Sequence, residues 1–255
     1  MGNLVKNEII KFIFTRKLYA FLIILSLFQL LPVVGSLMFK INIFNGQTYP
    51  LNFLGLVTSW IMPIFMIILC ADMVTEEYLN GTLALSLAHP VSRTSLMTAK
   101  AISLLVIMTF LLLSTLLIAY VIGTLFFGWG NSFMIQGTTF STFNGILLNI
   151  GLYGISALPL IAFGMVVMFI SLQFNSGSVV TGVSIGLMLI LTLGAEMVPR
   201  LQPFIITTYF NTFSYSLLFF RDLPNILMGV KMIVLYGIGF YLASILVFKK
   251  RDLVC

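Results

Sequence analysis

Among the side chains able to do chemistry, the adjacent carboxylates of Glu76 and Glu77 stand out, with Asp72 one helical turn before them. Three of the chain's seven acidic residues fall within these six positions. Paired carboxylates can ligate a metal or exchange a proton, but either role needs further groups. The chain has one histidine, His89, and two cysteines, Cys70 and Cys255, at no metal-ligand spacing. His89 precedes Pro90 and reads as a turn residue. No G-x-x-x-x-G-K-[ST] phosphate loop occurs, so ATP hydrolysis by that route is closed to this chain. What remains is electrostatic chemistry, in which a cluster of negative charge meets a charged partner.

The elements that must position this cluster are membrane helices. Of 255 residues, 60% are hydrophobic and 8% charged, and the mean hydropathy is +1.14. Soluble domains carry about 25% charge. Crossing the hydrocarbon core takes about 20 mostly apolar residues, and six such runs are present: 18–39, 53–71, 101–127, 146–172, 179–195 and 232–248. The first is too long for a signal-peptide core and no small-residue cleavage site follows it, so it reads as a retained helix. Pro32 is expected to kink the first span and Pro159 to break the fourth. Before the first span, residues 2–15 pattern as an amphipathic helix lying in the membrane interface. Asn7, Glu8 and Lys11 share one face, and Val5, Ile9, Phe12 and Ile13 face away. A frayed terminus is the alternative.

Residues 201–220 are apolar enough to suggest a seventh span, but they carry Thr207, Thr208, Asn211, Thr212, Ser214 and Ser216. Unpaired polar groups are costly in lipid. A seventh span would also send one of two basic clusters outward: Lys6, Lys11, Arg16 and Lys17 at one end, Lys249, Lys250 and Arg251 at the other. Both belong on the cytoplasmic side. The region 196–225 therefore reads as short or re-entrant outer-face helices bounded by Pro199, Pro203 and Pro224. With six spans, Arg93 and Lys100 join the two clusters inside, while Lys40, Arg200 and Arg221 lie outside and Lys231 snorkels from the outer end of the last span. The net charge of +6 is thus a topology signal rather than a nucleic-acid surface. The chain reads as one membrane domain, 1–255, all-α, with both termini cytoplasmic.

The acidic cluster opens the connection between the second and third spans. There Leu79, Leu83 and Leu87 recur every four residues and give a short helix, 75–88, an apolar stripe. Pro90 ends it, and Ser92 or Thr94 can cap the next helix. A short helix held between two spans can pass a push from a soluble partner into the membrane. The plainer alternative is a solvated loop helix.

The run D-x-x-x-E-E-x-x-x-G-T-L from Asp72 to Leu83, followed by H-P-V-S-R-x6-K from His89 to Lys100, resembles the corresponding loop of ABC-2 type transporter permeases. The resemblance extends over essentially the whole chain, through the amphipathic start, six spans, outer segment and the basic tail Lys249-Lys250-Arg251. It implies a coupling helix that docks on a separate ATPase subunit, with Glu76, Glu77, Gly81, Thr82, Leu83 and Leu87 at or near it. Pro90, Ser92 and Arg93 would form the turn into the third span. Lys100 would anchor that span at the headgroups, as Lys17, Lys249, Lys250 and Arg251 would anchor others. Glu76 and Glu77 would pair with basic residues of the ATPase or of the amphipathic start; the alternative is solvation or pairing within the chain.

On this resemblance the chain is not itself an enzyme. It is the permease half of a bacterial-type exporter in the plasma membrane, and ATP and Mg belong to the partner. Two ATPase subunits and a second permease, identical or related, complete the machine. Few fixed charges in the spans favour a hydrophobic or amphipathic cargo: a peptide, an antimicrobial or a lipid-like molecule. A secondary transporter or channel component is the alternative, weakened by the lack of a buried acid array. Intramembrane metalloproteases of the kind that process prenylated proteins also carry a Glu-Glu pair, but with histidines on later helices that this chain lacks. Gly182 and Gly186 form a G-x-x-x-G that packs helices closely, within the chain by preference or across a dimer seam. Gln29 and Asn149 bond neighbouring helices or, less favoured, line a substrate path.

Overall fold

A computed structural model describes residues 2–39, 45–80, 92–130, 133–135, 138–220 and 222–250. Helix α1 (Gly2–Phe14) precedes α2 (Arg16–Phe39), α3 (Tyr49–Leu79) and α4 (Arg93–Phe127). A short hairpin of β1 (Phe133–Ile135) and β2 (Thr138–Phe140) leads to α5 (Thr142–Ser171) and α6 (Gly177–Met197). Two 3₁₀ turns, Pro199–Phe204 and Ile206–Thr208, lead to α7 (Tyr209–Tyr215), and α8 (Leu223–Lys250) follows. Helices α2, α3, α4, α5, α6 and α8 are long and apolar enough to cross a bilayer, the shortest having 21 residues. By helix length and hydropathy the chain is a multi-pass integral membrane protein.

Every span is longer than expected and each starts earlier, because the helix continues through flanking polar residues once its backbone has no better partner. The fourth is not broken. Pro159 is buried inside the continuous α5, as neighbouring helices in lipid tolerate a proline that water would exploit. Pro32 likewise lies within an uninterrupted α2. The hairpin was not legible in the sequence. It pairs Phe133 with Phe140 and Ile135 with Thr138, and Phe133 packs so closely on α5 that a Cβ on Gly145 would fall 2.5 Å from its ring. Segment 199–220 does not span. It forms short helical turns whose Phe210 meets Phe163 of α5 edge-on, centroids 5.5 Å apart, and whose Ser214 accepts a 2.9 Å bond from Ser156.

Helices α3, α4 and α5 make the centre. At their meeting point Gly164 of α5 lets Met66 of α3 and Leu104 of α4 approach; a Cβ there would lie 2.7 Å and 2.8 Å from their side chains. Cys70 is buried in the same layer against the Gly164 carbonyl. The polar residues of the spans hold helices together: Gln29 Nε2 donates to Thr115 O at 3.1 Å, and Asn149 Nδ2 to Tyr120 Oη at 2.8 Å and Gln47 O at 3.2 Å. Gly182 and Gly186, in contrast, pack on nothing described: a Cβ on either would meet no atom within 4 Å. The preferred intra-chain role of that pair is therefore overturned, because α6 turns this face away from the bundle.

Candidate functional site

The charges converge at the end of the bundle that carries α1. Four side chains from three elements form a closed ring of alternating sign. Glu8 and Lys11 lie on α1, Glu77 on the last turn of α3, and Lys100 in the second turn of α4. Lys100 Nζ lies 2.6 Å from Glu77 Oε2 and 3.1 Å from Glu8 Oε2, and Lys11 Nζ lies 2.9 Å from both Glu77 Oε1 and Glu8 Oε1. Each carboxylate thus divides its two oxygens between the two ammonium groups. Lys100 is fully buried and Glu8 6% exposed, while Lys11 is half exposed. Charge-assisted bonds of this kind are short and directional, and the two positive and two negative charges cancel.

Local sequence explains how α1 reaches the ring. Phe12, expected to face away from Glu8 and Lys11, shares their side of the helix: the three lie at i, i+3 and i+4, and Glu8 and Phe12 are its buried residues. Phe12 buries against Phe21 of α2, centroids 6.4 Å apart, and this turns Glu8 inward. The helix thus docks with the Glu8 carboxylate against the bundle. Partial burial lowers the pKa of the Lys11 ammonium, but hydrogen bonds to Glu77 and Glu8 and their charges outweigh it and hold the group above its ordinary 10.5.

The other two acids of this segment stand apart from the ring. Residues 71–76 of α3 form a wider π-helical turn, a feature frequent at functional sites. Asp72, within it, pairs with Lys17 of α2 at 2.6 Å. Glu76 reaches the first residue of α6, its Oε1 only 2.4 Å from where a Cβ on Gly177 would stand. Thr75 Oγ1 donates to Ser171 O at the end of α5, 3.1 Å away. A cavity of about 730 Å³ opens between these groups, lined by Glu8, Lys11, Asp72, Glu76 and Glu77 together with Phe12. It is a charged cleft under α1.

Several expectations change here. Glu76 and Glu77 do not sit on a separate helix beginning at 75; α3 continues unbroken through them to Leu79. Lys100 does not face outward to anchor its span but is fully buried, where two carboxylates within hydrogen-bonding reach offset its desolvation. Ser92 caps α4 as expected, accepting from the Ser95 amide at 3.1 Å. Arg93 Nη1 donates to the carbonyls of Phe248 and Lys249 at 3.1 and 3.2 Å, closing the end of α8. Lys249 and Lys250 are exposed on the last turn of α8. Gly81, Thr82, Leu83, Leu87, Pro90 and Arg251 lie outside the described residues, as does His89. Among the described residues no cluster of three or more His, Cys, Asp or Glu side chains could hold a metal.

Sequence reading missed Glu8 as a site residue and Gly177 altogether. The signal for Glu8 was present as a carboxylate three residues before Lys11 on a helix with an aromatic at i+4, and as a lone lysine, Lys100, preceding a long apolar run. Nothing local marked Gly177. Residues 20–254 match the model of a family described as Protein of unknown function (DUF2705). No curated protein matches the chain.

Proposed function

The chain belongs to the DUF2705 family, and from that premise and its charged face we propose that it is the membrane-spanning permease subunit of an ATP-driven exporter of the ABC-2 type. A separate ATPase, in two copies, docks at the face carrying α1, which is cytoplasmic. A second permease chain, identical or related, completes the pathway for a hydrophobic or amphipathic cargo. ATP and Mg bind the partner, and this chain is not catalytic by itself. The observation that carries this reading is the ring of Glu8, Lys11, Glu77 and Lys100. It fastens α1 to both helices that flank the connection 80–92, so a displacement of that connection is transmitted to α1, α3 and α4 together. Arg93 extends the linkage to α8 through the Phe248 and Lys249 carbonyls.

Orientation is supported by charge. Lys6, Lys11, Arg16, Lys17, Arg93, Lys100, Lys249 and Lys250 lie at this end of the helices, against Arg200 and Lys231 toward the other among the described residues, the asymmetry favoured for a cytoplasmic face. The test is reconstitution of the chain with a phosphate-loop ATPase encoded beside it. ATP turnover should rise with an amphipathic peptide, and reversal of Glu76 and Glu77 to Lys should uncouple turnover from peptide movement. Turnover indifferent to every amphipathic cargo, or transport unchanged by the reversal, would remove this reading.

A further inference from the structure

At the end of the bundle opposite the ring, two cavities of about 520 and 220 Å³ share Gln202, Thr208 and Asn211 in their walls. The smaller is also lined by Ser59 and Trp60 of α3, Thr192 and Glu196 of α6, and Thr207. Three side-chain oxygens of this wall, Thr207 Oγ1, Thr208 Oγ1 and Asn211 Oδ1, are buried without a hydrogen-bond partner among the described residues. The whole Thr207 side chain is nine-tenths buried, at 8% exposed. Such atoms are almost always paired in native proteins.

Neighbouring threonines show how this would ordinarily be avoided. Thr192 and Thr212 each donate back to the carbonyl four residues earlier, at 2.8 and 2.7 Å. Thr207 and Thr208 do not, because the chain there turns from 3₁₀ geometry into α7. Asn211 is held against α3, where a Cβ on Gly55 would lie 3.1 Å from its amide nitrogen. The wall thus presents a fixed amide oxygen and two fixed hydroxyls whose acceptor capacity is unused.

Its charge and shape narrow what fits. Glu196 is the sole ionisable residue lining the smaller cavity and no basic residue lines it, among the described residues. Trp60, partly exposed, offers an indole face that attracts cations and apolar groups alike. The volume of the smaller cavity lies below the range of about 300–1,000 Å³ for drug-sized sites, so it suits a compact headgroup, with the adjoining cavity for the remainder.

We propose that this is a binding site for an organic ammonium ion on an apolar body. Its N–H groups donate to Asn211 Oδ1 and the Thr207 and Thr208 hydroxyls, Glu196 balances its charge, and Trp60 packs on its apolar part. The site goes beyond the transport reading and needs no ATPase, so either can fail without the other.

The test uses the full chain in lipid nanodiscs with Trp129→Phe, leaving Trp60 as the only indole. Its fluorescence is titrated with 4-phenylbutylamine, 4-phenylbutanol and 4-phenylbutyrate, which share an apolar body and differ in charge. A saturable change with the amine alone is expected, weakened about tenfold in Glu196→Gln and at least as much in Thr207→Val. Glu196 is exposed at the end of α6, so its substitution leaves the fold intact. An equal response to the alcohol, or an amine affinity unchanged in both variants, overturns the site.

Discussion

Lys100 of α4 and Glu77 of α3 meet at 2.6 Å with the lysine fully buried. They stand 23 positions apart in sequence, on either side of the connection between α3 and α4. Their contact turns two isolated charges into the joint that closes this end of the bundle, and Glu8 makes α1 part of it.

Removing one member leaves the buried ring with one uncompensated charge. Lys100→Met should destabilise the protein by about 3–5 kcal/mol, and Glu77→Gln by less because Glu77 is partly exposed where Lys100 is fully buried. The Glu77→Gln, Lys100→Met double variant should cost less than the sum of the single variants. Thermal unfolding of the four proteins in one detergent measures the coupling.

The Lys11 pKa is raised in the folded protein. Its contribution to docking of α1 is therefore fully present below the ordinary 10.5 and is lost as pH rises through the higher folded value. A fluorophore on the exposed Asn3 should report α1 docked from neutral pH to about 10, then released above that, and Lys11→Met should remove this alkaline step.

Two glycines should respond oppositely to alanine. Gly164→Ala drives a Cβ to 2.7 Å from Met66 Sδ and should cost about 1–3 kcal/mol by overpacking, with relief when Met66 is also made Ala. Gly182→Ala meets nothing within 4 Å and should leave monomer stability unchanged or slightly raised, since alanine favours a helix interior. Unfolding midpoints compare the two directly. A loss of self-association in Gly182→Ala would instead place the exposed face of α6 in a seam between copies.

Arg93→Gln removes the donor to the Phe248 and Lys249 carbonyls. The last turn of α8 should fray, visible as faster amide exchange over 245–250 with exchange in α4 unchanged beyond its first turn. Ser92→Ala should act on the other side of the joint, costing α4 about 1 kcal/mol of N-cap stabilisation.

Much of this architecture was legible in residue order. Six runs long enough for the hydrocarbon core, an even count forced by two basic clusters, and the N-cap at Ser92 are local properties. In lipid each backbone must satisfy itself within its own helix, so composition and length decide which segments span. Rejection of 201–220 as a span follows from its own hydroxyls and amides.

What only the tertiary structure decided is which distant side chains meet. Glu8 and Lys100 are 92 residues apart in sequence, and no periodicity connects them; the aromatic contact of Phe12 with Phe21 turns the carboxylate inward. Asp72 pairs with Lys17, Glu77 with Lys11 of the amphipathic start and with Lys100, and Glu76 stays exposed beside Gly177, a division that their adjacency in sequence left open. Gly182 and Gly186, promising in sequence, lie outside the packing, while Gly164 and Gly177 sit where other elements press against them. The reason is physical: hydrophobic length is a property of a segment, but an ion pair or a close approach is a property of two surfaces brought together.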